Sequence, residues 1–348
     1  MDTRILKAYN VIMKSRQNYG VFHKSLFHIH TPASHDFRFY ENQTPNYYYD
    51  LTLEAIFQIA VNEGLFQSEI FYSHDDLPLD DAFLCKKEYI TYLLIAHKLF
   101  VNRVEIAVIS DHNNINGFDK LKRAIDVYNQ GKSNAIYTHI FLGVEISCAD
   151  KNHVVGIFDS SKKNIENLIR KWLNDNIMSD TDGTFRTSYD VLSEISSTSL
   201  AGVGYIAHID TSDAFKKGFL SQAYREKLFS NYHTAIGVSN IDKIIEITKR
   251  INEFNHEQTA YFWECDAHSI DALNDKAFWI KGQSINFNML KNAIRDFEIA
   301  IQYNEPKEPK QSLLGMVIHD GTKNFLTDNP KNKSQERMFK TQFSDSLN

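Results

Sequence analysis

Cysteine and positive charge are both scarce in this chain, and no long apolar run occurs. Only three cysteines, Cys85, Cys148 and Cys265, stand among 348 residues, far apart and without a CxxC pair. That argues against a disulfide framework and against a thiolate zinc site, and it fits a reducing, cytoplasmic setting. Lys and Arg number 38 against 44 Asp and Glu, a formal net charge of -6. Proteins that coat a nucleic-acid duplex are usually basic, so any such contact here must be local or metal-bridged. No apolar stretch reaches membrane-spanning length. The N-terminus, "MDTRILKAYNVIMKSRQ", has neither the apolar core nor the small-residue cleavage site of a signal peptide. There is no GxxxxGK[ST] sequence, hence no P-loop. Internal repeats and low-complexity runs are likewise missing.

What remains is an ordinary globular composition, 43% hydrophobic and 24% charged. Its length suits one large domain or two ordinary ones. Short runs rich in Val, Ile and Phe fall at 25–30, 103–112, 139–147, 153–158, 201–210, 234–240 and 260–269. Too short for most helices, they read as buried strands. Helical patterns separate most of them, at 51–63, 87–100, 117–129, 163–175, 188–196 and 241–253. A further amphipathic helix is expected at 288–303, where Leu290, Ile294, Phe297 and Ile301 recur at helical spacing. Alternating strands and helices predict an α/β fold with a largely parallel sheet, and seven strands suit a closed barrel. Residues 68–83 and 178–188 read as loops. "NEPKEPKQ" (304–311) reads as a linker, followed by a hairpin around Asp320 and Gly321 and a polar, mobile tail. The division is therefore 1–303 for the main domain and 304–348 for linker, hairpin and tail.

The strands share a habit: their C-terminal ends carry metal-binding side chains. The first ends in His28 and His30, the second in Asp111 and His112, and the third carries Glu145. His208 closes "GYIAH", and Asp266 with His268 closes "FWECDAH". His153 instead opens its run, so it belongs to a loop or to a strand of opposite sense. In a parallel barrel the C-terminal ends meet on one face. Residues i and i+2 of a strand share a side, so His28 with His30, and Asp266 with His268, can each grip one ion. Histidines and carboxylates without cysteine suit zinc, manganese or iron, and this many ligands imply more than one ion. His23, His74, His97, His139, His233, His256 and His319 read as ordinary hydrogen-bonded histidines.

The ordered series "HIHTPASHD", "AVISDHNNINGFDKL", "GVEIS", "HVVGIF", "YIAH" and "ECDAHS" resembles the motifs of the PHP (polymerase and histidinol phosphatase) superfamily over residues 24–300. The resemblance implies a distorted seven-stranded β/α barrel, two or three divalent metals (Mn, Zn or Fe) and hydrolysis of phosphate mono- or diesters. It also implies a ligand set of His28, His30, His112, Glu145, His153, His208, Asp266 and His268, with Glu145 bridging two ions. The ligand after the HxH pair falls at one of two spacings in the family, and His35 and Asp36 occupy both. Asp36 is favoured, as in members that share "HTPxS", leaving His35 as the alternative ligand or a general acid. Asp111 either orients His112 or fixes the loop of its motif. His35 or His208 would protonate the leaving oxygen. Arg38 and Lys281 are candidates for holding substrate phosphate, against the plainer reading of surface ion pairs. Asn113 either touches substrate or caps the following helix. The tyrosines of "NYYYD" (46–50) either stack bases or, more simply, pack on the barrel.

The C-terminal part resembles PHP modules that continue into ABC- or SMC-like ATPases. That implies an ATPase partner or a further C-terminal domain, and work on DNA or RNA, including defence. Three functions compete: a phosphodiesterase or nuclease, a phosphomonoesterase of a small metabolite, and a metal-stabilised interaction domain without catalysis. The near-complete ligand set argues against the third.

Overall fold

In the computed structural model the described residues are 10, 20–66, 73–130, 132, 137–216, 218–230, 235–254, 259–273 and 276–307. The backbone alone is described for 231, 315–319 and 338–342. All seven apolar runs form strands: β1 (Val21–Ile29), β2 (Ile106–Ile109), β3 (His139–Ser147), β4 (His153–Phe158), β5 (Val203–Ile206), β6 (Ala235–Val238) and β7 (Ala260–Ala267). They are hydrogen-bonded in chain order, and β1 pairs with β7 to close the barrel. Every pairing is parallel except those of β4, which runs antiparallel to both β3 and β5. Its first residue, His153, therefore reaches the rim where the other strands end.

Closure depends on a change of partner along β1. Val21–Ser25 pairs antiparallel with a further strand, β8 (Phe278–Gly282). Phe27 and Ile29 pair instead with β7. Strand alternation sorts the side chains into two cores. Phe27, Val108, Tyr205 and Phe262 belong to an inner cluster. Leu26, Ala107, Ile206 and Tyr261 belong to the layer beneath the surrounding helices.

The helices Leu53–Asn62, Lys86–Val101, Asn116–Asn129, Ile165–Asn176, Ser188–Ile195 and Ile244–Ile251 lie where the apolar periodicity put them. The helix expected at 288–303 does not run through. It spans Phe287–Arg295, breaks at Asp296, makes one turn at Phe297–Ala300 and ends as a strand, Ile301–Gln302, paired with β8. Ile301 kept the helical spacing, but its β-branched side chain serves opposite Ile280 in the sheet. The sequence did not signal the helices Pro45–Asp50 and Gln222–Asn231. Within the first, Tyr48 is buried edge-on against Phe37, with 5.3 Å between ring centroids, so packing accounts for it. Gly315–His319 pairs antiparallel with Met338–Gln342, while Asp320 and Gly321 lie outside the described residues. Among the described residues no helix is long and apolar enough to cross a membrane.

Candidate metal centre

The C-terminal rim of the barrel is irregular where the candidate ligands sit. Pairing of β1 with β2 shifts register between Leu26 and Ile29, and His28 between them has φ 68°. His208 and Asp266 also have positive φ, 29° and 49°. Left-handed backbone at non-glycine residues costs on the order of 1–3 kcal/mol each and persists where surroundings over-determine it. These kinks change the expected pairing of ligands. His28 and His30 still converge, with ring centroids 5.0 Å apart, but through a bulge rather than simple alternation. Asp266 and His268 are divided between two groups.

Among the described residues, three overlapping groups of side chains could each hold an ion: His28, His30 and Asp266; His30, Asp36, His112 and His268; and His112, Glu145 and His153. Glu145 is fully buried between them. Its Oε2 lies 3.0 Å from His28 Nε2, 3.3 Å from His30 Nε2 and 3.2 Å from His112 Nδ1. Its Oε1 lies 2.7 Å from His153 Nδ1 and 3.2 Å from His208 Nε2. Asp36 meets His268 Nε2 at 2.7 Å and His112 Nε2 at 3.2 Å. Of the two residues left open by the motif, Asp36 joins a group and His35 does not. The His35 ring stands beside His112, 5.1 Å between centroids.

Burial alone would raise the Glu145 carboxyl, but the imidazoles of His28 and His112, with hydrogen bonds from His153 and His208, hold it well below the usual range. Burial would lower His28, yet Glu145, Glu264 and Asp266 together push it well above 6.5. His208 is likewise lowered by burial but raised to about 9 overall by Glu145. His30 falls to about 3, through burial and the neighbouring His268. The donor set fits divalent cations. His28 Nε2, His30 Nε2, His112 Nδ1 and Glu145 Oε2 are buried without a hydrogen bond, and all four face one another. Buried polar atoms rarely stay unsatisfied, and bound cations would complete them.

The supporting residues are more revealing than the ligands. Glu264, not anticipated from sequence, is fully buried. One of its oxygens holds His28 Nδ1 at 2.7 Å and the other accepts the backbone N–H of His208 at 2.5 Å. A carboxylate on the far nitrogen fixes the tautomer of a metal-binding imidazole. Gly237 makes the room: a Cβ there would lie 2.0 Å from Glu264 Oε2. Ser34 Oγ lies 3.2 Å from His30 Nδ1 and donates to Asp36 Oδ1 at 2.7 Å. Asp111 does not orient His112. It accepts from the Thr31 backbone N–H at 2.6 Å and from the Thr31 hydroxyl at 2.9 Å, pinning the turn after His30. Burial raises its carboxyl to about 6 against those hydrogen bonds.

Two proposed substrate contacts move. Lys281 sits on β8 opposite Phe22, with its ammonium 5.4 Å from the centre of that ring. Phe22 is the second residue of β1 and the candidate ligands lie at its far end, roughly 20 Å away at about 3.3 Å per residue. Lys281 is thus at the opposite end of the barrel, because β8 pairs with the first half of β1. Asn113 neither caps the next helix nor offers a free amide. Its Nδ2 donates to Asp180 O at 2.7 Å, and its Oδ1 accepts from Ser147 N at 3.1 Å. Arg38 stays near the site, donating its backbone N–H to His268 O at 2.9 Å while its guanidinium reaches Glu41 O at 3.4 Å. His97 is satisfied by Tyr128 and the Glu63 carbonyl, as an ordinary histidine would be.

A closed seven-stranded barrel with histidines and carboxylates gathered on its rim is what the resemblance to the PHP superfamily implied. The chain belongs to the same family as an uncharacterized protein of Streptococcus pneumoniae serotype 4. The two are 35% identical over 237 residues, 67% of this chain and 89% of that protein. No family model matches the chain. Among solved structures it is similar to a lesion-specific endonuclease from Pyrococcus furiosus, with 13% identity, TM-score 0.45 and 66% of this chain covered. It is also similar to Endonuclease Q bound to a duplex with an abasic lesion, with 13% identity, TM-score 0.42 and 60% of this chain covered. The chain spans 57% and 52% of those two chains.

Proposed function

We propose that this chain is a metal-dependent phosphoesterase acting on phosphodiesters. The observation that carries the reading is Glu145, a buried carboxylate with three imidazoles on one oxygen and two on the other. Such a bridging acid can join neighbouring cations, and a cluster of cations suits a phosphoryl group. The cations, two or three of Mn, Zn or Fe, would supply Lewis-acid stabilisation of the phosphate and lower the pKa of the attacking water. His28, His30, Asp36, His112, Glu145, His153, His208, Asp266 and His268 would hold them. Glu264, Ser34 and Asp111 keep those side chains in place. His35 is the better proton donor to the leaving oxygen, because His208 Nε2 is already turned to Glu145. The resemblance to ATPase-linked modules supports nucleic acid as the substrate and an ABC- or SMC-like ATPase as partner.

The test is a side-by-side panel with manganese: single-stranded DNA, RNA, bis-p-nitrophenyl phosphate and p-nitrophenyl phosphate. Diesters should be cleaved faster than the monoester. Turnover of the monoester alone would overturn the diester reading.

A further inference from the structure

The turn that presents His112 to the metal site continues into the wall of a cavity of about 470 Å³. That volume falls within the roughly 300–1,000 Å³ typical of small-molecule sites. Asn113 is part of this wall, and its backbone N–H donates to Glu145 O at 2.7 Å, so cavity and metal site share one turn. The far wall comes from the end of the helix Ile165–Asn176 and the segment after it. Both lie on the same rim, since that helix rises from the end of the reversed strand β4.

The chemistry of the lining narrows the occupant. Leu173, Ile177 and Met178 give an apolar surface. Arg170 and Asp180 are the charged lining residues, of opposite sign. Arg170 Nη1 donates to Asn116 Oδ1 at 2.7 Å, which steadies the guanidinium and leaves its other N–H groups and the Asn116 amide as donors. The lining therefore has no excess of positive charge to hold a second phosphate. It suits a neutral planar group with both donors and acceptors, and a nucleobase is such a group: arginine and asparagine pair with its acceptors, a carboxylate with its amino groups.

We infer that this cavity is the nucleobase subsite of the enzyme, holding the base of a nucleotide whose phosphate lies at the metal centre. The inference rests on the phosphoesterase reading and names its substrate class. Asn113 is a strut in that wall, and the recognising groups are Arg170, Asn116 and Asp180.

The experiment compares wild type with Arg170→Gln, a half-exposed position whose change spares the fold. With manganese, KM for the p-nitrophenyl ester of thymidine 5′-monophosphate should rise about tenfold, the scale of a hydrogen bond to a charged group. Its kcat should stay within about twofold, and bis-p-nitrophenyl phosphate, which has no base, should be unaffected. Equal changes on both substrates, or none, would overturn the subsite. Calorimetric binding of the four nucleoside 5′-monophosphates supplies a readout without turnover. If wild type cleaves neither ester but binds a nucleotide that Arg170→Gln binds about tenfold more weakly, the subsite stands and the phosphoesterase reading falls. If wild type binds none of the four, the subsite falls.

Discussion

Gly237→Ala is the smallest change that should disturb the metal centre without touching a ligand. Its Cβ would lie 2.0 Å from Glu264 Oε2 and 2.2 Å from Cδ, where carbon contacts normally begin at about 3.5 Å. The carboxylate must retreat by more than about 1 Å. It then cannot keep both His28 Nδ1 at 2.7 Å and the His208 N–H at 2.5 Å. Overpacking of this kind costs about 1–3 kcal/mol. Displacing the partner of a metal-binding histidine lowers metal affinity about 10- to 100-fold. Glu264→Ala removes the obstacle along with the partner. Adding Gly237→Ala to it should therefore cost less than about 0.5 kcal/mol, giving a coupling energy of at least about 0.5 kcal/mol. Manganese titration by calorimetry and urea unfolding of the metal-free protein measure both quantities. Equal penalties for Gly237→Ala in the two backgrounds would refute the reasoning, as would unchanged metal affinity in the single variant.

Three further outcomes follow from the geometry. Asp36→Ala should weaken manganese binding, while His35→Ala should cost about 100- to 10,000-fold in turnover, as loss of a general acid does, with manganese affinity unchanged; weakened manganese binding in both variants would show that both residues bind metal. Lys281→Ala, at the far end of the barrel, should leave kcat/KM within about twofold on every substrate. Metal binding should release protons at pH 7, because His28 and His208 hold theirs above neutrality, His208 up to about 9. Ligands must be deprotonated to coordinate, so affinity should rise with pH through the range in which those imidazoles lose their protons. Calorimetry in two buffers of different ionisation enthalpy counts the protons released.

Much of the fold, and the gathering of these histidines and carboxylates on one rim, was legible because strand ends are marked twice, by the apolar run and by the polar residue that stops it. His153 shows how far that signal goes: its place at the start of a run left a loop or a reversed strand open, and β4 is reversed. Glu264 was hidden by the same logic. Inside "FWECDAH" it reads as one position of a barrel wall, and the space that admits it comes from Gly237 on the neighbouring strand. Only closure brings the two together. Asp111 stands next to a ligand in sequence yet serves Thr31, which is distant in the chain and adjacent in space. Lys281 was misplaced because nothing local reveals that β8 pairs with the first half of β1. The positive φ angles of His28, His208 and Asp266 had no local signal either, since none is a glycine, and they redistribute the paired ligands among the groups.

The central claim is that the barrel rim holds divalent cations and works through them. The direct measurement is bis-p-nitrophenyl phosphate hydrolysis by protein stripped of metal and then reloaded with manganese, beside His28→Ala treated identically. The account predicts no turnover when stripped, recovery on reloading for wild type, and none for the variant. Equal turnover by stripped and reloaded wild type would contradict it.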